Sequence, residues 1–297
     1  YSNTITFTVN QPPLVANQTV SLCSGQPSGL TLGGSSNGIP VSSYNVVSIS
    51  ANGLMPVAGN PVPATGITAN ELQDDAWRNN TAANAEIKYF MEAVSPEGCI
   101  GSFTVTLTIY PEPRIICPAT NITQNTDPGV CSAAVQLTHP DNFQTSCTIA
   151  SLSVGFSDGD TGSPDPVSFP LGGEVTPGST ATYTFAHGIT LVTYTVTDVA
   201  GNTANCSYTI TIKDVDSPQI ICPTPDVSGY FADNGYCTAT LSFAATATDN
   251  CGVSGYSYAV GGSSITFPYD FPVGSTAVTA TATDVNGLAS SCDFTVL

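Results

Sequence analysis

The four residues Ile-Ile-Cys-Pro occur at 115–118 and again at 220–223, and each copy begins a stretch that holds four cysteines. A second phrase repeats behind each of them, Thr-Asp-Val-Ala-Gly-Asn at 197–202 and Thr-Asp-Val-Asn-Gly-Leu at 283–288. Repetition on this scale is the mark of stacked modules, so the chain is read as an array before anything else is asked of it. The cysteines fall at 117, 131, 147 and 206 in the first copy and at 222, 237, 251 and 292 in the second, giving gaps of 14, 16, 59 and 15, 14, 41. Only the last gap differs, by 18 residues, and the excess lies in a Gly/Pro/Asp-rich stretch before Phe185. An insertion there predicts a surface loop or hairpin near residues 155–184.

A chain of 297 residues with this repeat has room for three immunoglobulin-sized sandwiches of about 100 residues each. Its 27 Gly and 22 Pro, with abundant Thr, Ser and Val, favour turns and strands over helices. The expected fold is all-β: tandem Ig-like sandwiches in an elongated, disulfide-braced array. Ten cysteines, two in the first hundred residues and four in each copy, give every small module an even number and belong to an oxidising compartment, and a zinc site is disfavoured by the absence of any Cys-x-x-Cys pair and by having only two histidines. Four basic against 22 acidic residues leave a net charge of −18, which repels nucleic acid and anionic lipid. No apolar run approaches the roughly 20 residues that span a bilayer. These features predict an extracellular, cell-surface protein without nucleic-acid partners or membrane insertion in this segment. The lack of a signal peptide reads as a processed or internal segment.

Residues 1–13 alternate like the stretch at 101–113 and end in the same kind of proline linker, so they read as the last strand of a preceding module. The modules that follow are 14–113, 114–214 and 215–297. In the first of these, Cys23 and Cys99 are expected to pair. Thr68-Ala-Asn-Glu71 has the form of a capping box that opens one or two helical turns through Trp77, whose bulk makes it the plug of that core. In the four-cysteine modules, a sandwich whose first strand ends beside the start of its second, and whose second ends beside the start of its last, gives Cys117–Cys131 with Cys147–Cys206. The same reasoning gives Cys222–Cys237 with Cys251–Cys292, one of three connectivities that four cysteines allow.

The phrases Asp214–Pro223, Cys237–Leu241, Thr248–Gly252 and Thr283–Val296 resemble the hyalin-repeat (HYR) domain. The earlier copy departs from the pattern, with Thr-Ser-Cys-Thr at 145–148 where the later one has Asp-Asn-Cys-Gly, and Pro-Glu-Pro-Arg at 111–114 in place of the acidic linker. Residues 14–113, with a Cys-Ser-Gly opening at 23–25 and Gly-Cys-Ile-Gly at 98–101, resemble the PKD-like units that precede HYR repeats in large bacterial surface proteins. Together the two types resemble giant adhesins of the Bacteroidota kind, including those used in gliding motility and exported by the type IX system. The resemblance implies a non-catalytic stalk or adhesive filament.

The acidic linker enters a sandwich at the pole where Asp214, Asp216, Asp249 and Asp284 gather, an arrangement suited to calcium, with turn chemistry as the plainer explanation. No other cofactor is required. The insertion's Asp158-Gly-Asp160-Thr-Gly-Ser-Pro-Asp165 begins like a calcium loop but has Phe169 where the loop needs glutamate, so a solvated acidic loop is expected. His139 and His187 have no Gly-x-Ser-x-Gly elbow to serve, which argues against a hydrolase. Tyr256 and Tyr258 share one strand face and could stack on sugars, though half-buried sandwich packing explains them as well. The alternative function is therefore that of carbohydrate-binding accessory modules on a secreted enzyme. The expected partners are an extracellular surface or glycan ligand and neighbouring copies of the same string.

Overall fold

A computed structural model of the chain describes residues 9–59, 61–118, 120–159 and 172–297. Among these residues the regular structure is entirely strand, in agreement with the composition. The expected strand within residues 1–8 and most of the acidic loop, 160–171, lie outside the described residues.

The first module contains β1 (Gln18–Cys23), β2 (Ser43–Ser50), β3 (Met55–Ala58), β4 (Ala64–Ile67), β5 (Ala76–Arg78), β6 (Ala85–Val94) and β7 (Ile100–Tyr110). Its main sheet runs β1-β7-β6-β2-β4, with β1 parallel to β7, and β3 pairs with β5 opposite. Strict alternation in β6 and β7 turns Ile87, Tyr89, Met91, Val105, Leu107 and Ile109 inward, and Trp77 on β5 closes the core as its plug. Trp77 Nε1 donates to Tyr89 Oη at 2.9 Å, and Tyr89 Oη donates to the buried Asp75 carboxylate at 2.7 Å. The helix expected after Thr68 is absent. Residues 68–75 form consecutive turns closed by Glu71 N–H to Thr68 O, Gln73 N–H to Asn70 O and Asp75 N–H to Leu72 O. Pairing with β3 then captures Trp77 as strand, so tertiary context overrides a local capping signal.

The second module contains β8 (Ile122–Asn125), β9 (Ser132–Thr138), β10 (Ile149–Asp158), β11 (Gly173–Glu174), β12 (Thr180–Ala186), β13 (Gly188–Asp198) and β14 (Thr203–Lys213). One sheet is β11-β10-β13-β14-β8 and the facing pair is β12-β9. Within the expected insertion, β11 turns back onto β10 and β12 crosses to β9. The third module repeats the plan with β15 (Gln219–Ile221), β16 (Thr238–Leu241), β17 (Thr246–Thr248), β18 (Val253–Val260), β19 (Ser263–Ile265), β20 (Tyr269–Pro272), β21 (Thr276–Asp284) and β22 (Ala289–Val296). Three separate apolar clusters fill the three sandwiches.

The disulfides correct the expected pairing throughout. Cys117–Cys206 and Cys222–Cys292 each tie a module's first segment to its last strand, while Cys23–Cys147 and Cys131–Cys251 cross from one module to the next. Cys99 and Cys237, expected in bridges, are free thiols. The physical reason lies in strand direction. β9 runs the length of the second module, so Cys131 before it and Cys147 after it sit at opposite poles, each facing a different neighbour.

Candidate functional site at the module joints

At the first joint, Cys23 at the end of β1 meets Cys147 with Cα atoms 5.7 Å apart. Beside the bridge, Asp198 ends β13 and is almost wholly buried. Its Oδ1 accepts the N–H groups of Ala200 and Asn202, both at 2.9 Å. Its Oδ2 accepts Asn202 Nδ2 at 2.9 Å, and that same amide donates across the joint to Ser24 O at 2.8 Å. Both carboxylate oxygens are thus satisfied by the protein, and the amide stitches one module to the next. Cys23, Cys147 and Asp198 lie close enough to suggest a metal group, but the sulfurs are joined to each other and offer no thiolate.

The second joint has the same frame and different chemistry. Cys131 meets Cys251 with Cα atoms 4.6 Å apart, and Asn250 Nδ2 donates to Val130 O across the joint at 3.2 Å. Asp284 stands where Asp198 stands, at the end of β21, and its Oδ1 accepts Asn286 N–H and Leu288 N–H, both at 2.8 Å. Position 288 is leucine where the first joint has Asn202, so no amide reaches Asp284 Oδ2. Asp249 replaces Thr145, and its Oδ1 accepts Cys251 N–H at 2.8 Å and Gly252 N–H at 3.0 Å. Asp214, in the linker after β14, accepts Asp216 N–H at 3.1 Å, Asn250 Nδ2 at 3.3 Å and Asn286 Nδ2 at 2.7 Å. Burial would raise the Asp214 carboxyl, but these three hydrogen bonds, helped by His187, outweigh it and hold the group below the usual carboxylate range.

Asp214, Asp249 and Asp284 each place a carboxylate oxygen within 4.8 Å of the other two. Two like charges at that spacing repel by roughly 3 kcal/mol at an effective dielectric constant of 20. Among the described residues, Asp249 Oδ2, Asp284 Oδ2 and Asn250 Oδ1 are buried with no hydrogen-bond partner. Of the four acids expected here, three converge. Asp216 stays exposed in the adjoining cleft and contributes its backbone N–H instead of its carboxylate. Asn250 is the member that sequence reasoning passed over, although its place between Asp249 and Cys251 puts it beside the bridge.

The other candidates fall elsewhere. His139 is buried with Nδ1 3.1 Å from Tyr194 Oη, and burial lowers its pKa. Tyr256 and Tyr258 share a face of β18, but their hydroxyls accept the N–H groups of Ala247 and Ala245, both at 2.9 Å, and the Tyr258 ring packs on Phe267 with centroids 4.7 Å apart. Tyr256 remains 43% exposed.

The HYR domain model matches two adjoining stretches of the chain, residues 173–212 and 213–297. Hyalin of Lytechinus variegatus is 38% identical over 116 residues, 38% of this chain and 21% of hyalin, so the match spans about a fifth of that relative. Among solved structures, a three-Ig fragment of titin aligns with TM-score 0.37 and 12% identity over 96% of this chain and 98% of the fragment. Extracellular cadherin domains 1–4 of protocadherin gamma B7 align with TM-score 0.33 and 12% identity over 96% of this chain and 76% of that one.

Proposed function

We propose that this chain is a non-catalytic, force-carrying segment of an extracellular adhesive string, a stalk or filament whose joints are covalently fixed. The observation that carries the reading is the pair of disulfides between neighbouring modules. A disulfide inside a module stabilises its fold, whereas one between modules does nothing for either core alone and removes freedom from the joint between them. Stiff, oxidised joints suit a spacer under tension outside the cell. HYR units and the hyalin relative support the adhesion-type role. The finer placement, a bacterial gliding adhesin exported by the type IX system, rests on the order of a PKD-like module before HYR units.

Small-angle scattering tests the reading. Strands of 11 residues at ~3.3 Å each make a module about 36 Å long, and three in line about 110 Å. A rod of that length has a radius of gyration of about 32 Å, against about 19 Å for a compact globule of this chain length. The oxidised chain is expected near the larger value, and replacing Cys23, Cys147, Cys131 and Cys251 by serine is expected to broaden the distribution. A value near the smaller one, or no change in the quadruple variant, would count against the proposal.

A further inference from the structure

We propose that Asp214, Asp249, Asp284 and the side-chain carbonyl of Asn250 form a calcium site that completes the second joint. The inference deepens the reading of the joints and holds whether or not the string is adhesive.

The first joint closes the same frame with protein groups alone. There a buried aspartate at the end of the penultimate strand has both oxygens satisfied, one by two backbone N–H groups and one by Asn202. In the second joint the same two backbone donors serve Asp284 Oδ1, but leucine occupies the position of the amide. The stranded Asp284 Oδ2 belongs to a residue only 2% exposed, and the same cluster holds a second stranded oxygen, Asp249 Oδ2. Buried polar groups are ordinarily paired, so two orphaned carboxylate oxygens beside a third carboxylate call for a positive partner. Among the described residues no salt bridge involves any of the three acids.

The donor set defines the ion. Every donor is oxygen, which selects a hard cation. The amide of Asn250 is oriented by its neighbours: Nδ2 donates to Asp214 and to Val130 O, which leaves Oδ1 buried without a partner and available as a neutral ligand. Oxygens within 4.8 Å of one another fit inside the about 4.6–5.2 Å diameter of a calcium shell with bonds of about 2.3–2.6 Å. The ligands come from the linker, from the loop after β17 and from the end of β21, and Asn250 also holds Val130 of the second module. Binding would therefore fix the linker and both modules at once.

The test is calcium titration of the full chain, read by calorimetry and by melting of the third module, with magnesium as comparison. Extracellular modules bind calcium at about 0.1–1 mM, so at 10 mM the folded-to-unfolded ratio should rise roughly 10- to 100-fold. Asp284→Asn keeps an oxygen for the two backbone N–H groups and places an amide where the orphan was, so it should fold and lose the response. Leu288→Asn rebuilds the first joint's solution and should melt higher in chelator than the parent while responding less to calcium. No response of the parent at 10 mM calcium, or a full response in Asp284→Asn, would overturn the proposal. Either result would leave the disulfide-crossed joints, which scattering tests separately, untouched.

Discussion

The crossing disulfides make a mechanical prediction whose size follows from the pairing alone. Leu14 and Leu297 are separated by about 280 residues, roughly 1,000 Å of taut chain at ~3.5 Å per residue. With all bridges closed, tension takes a shorter covalent route. It runs from 14 to 23, across to 147, back to 131, across to 251, back to 222, across to 292 and on to 297. That route holds about 60 residues, so even with every module unfolded the oxidised chain should draw out to only about 210 Å. Pairing confined within modules would give about 80 residues and roughly 270 Å. Removing the first crossing bridge with Cys23→Ser and Cys147→Ser forces tension along residues 14–117 before it can cross to Cys206, and the taut length should double to about 430 Å. Removing the second with Cys131→Ser and Cys251→Ser should leave the length unchanged, because the detour from 147 to 117, across to 206 and on to 222 is equally short. Single-molecule stretching with handles at both ends measures each case, with reductant restoring about 1,000 Å. An oxidised parent near that full length, or no lengthening on loss of Cys23 and Cys147, refutes the pairing.

Thiol counting is the simplest companion experiment: unfolded without reductant, the chain should take up two alkylating groups, on Cys99 and Cys237, and in the native state the exposed Cys237 should react first. Peptide mapping by mass spectrometry reads both. Tyr89→Phe removes the acceptor of Trp77 Nε1 and a donor to the buried Asp75, which should cost the first module about 1–3 kcal/mol and lower its melting temperature by roughly 4–8 °C per kcal/mol in calorimetry. His139 has a folded pKa below its ordinary value, so the stability its neutral form supports is present above about pH 6.5 and lost as pH falls. His139→Gln should therefore flatten the decline in second-module stability between pH 7 and 5, followed by thermal melts of parent and variant at matched pH.

The β character was legible because alternation is a local property: the inward residues of β6, β7 and β13 can be counted off the chain. The pole that gathers Asp214, Asp249 and Asp284 was legible too, since each sits in a turn motif whose place relative to a strand end is fixed by sequence. The cysteine pairing was not, because spacing gives the length of chain between two thiols and not the direction of the strand between them. The 14 residues from Cys117 to Cys131 read as a short loop, yet they carry the chain through β8 toward the far pole. Capping chemistry at Thr68–Glu71 misled for a related reason. Its hydrogen-bonding preferences suit a tight turn as well as a helix start, and only β3, distant in sequence, decides between them.

Besides Asp249 in place of Thr145 and the linker acid Asp214, the joints differ at the last residue of the repeated Thr-Asp-Val phrase. Asn202 and Leu288 occupy matching positions in matching turns, and both donate the same backbone N–H to the same aspartate oxygen. The asparagine also gives its amide to the second oxygen and to Ser24 of the preceding module, so that joint is closed by protein alone. The leucine leaves the second oxygen without a partner in a cluster with two more acids, which is where the proposed cation would complete that joint. Because a disulfide spans both joints, losing that partner loosens the second joint without parting it. Chelation should therefore broaden the scattering of the parent while leaving its taut length at about 210 Å, a combination that a joint held by the cation alone would not show.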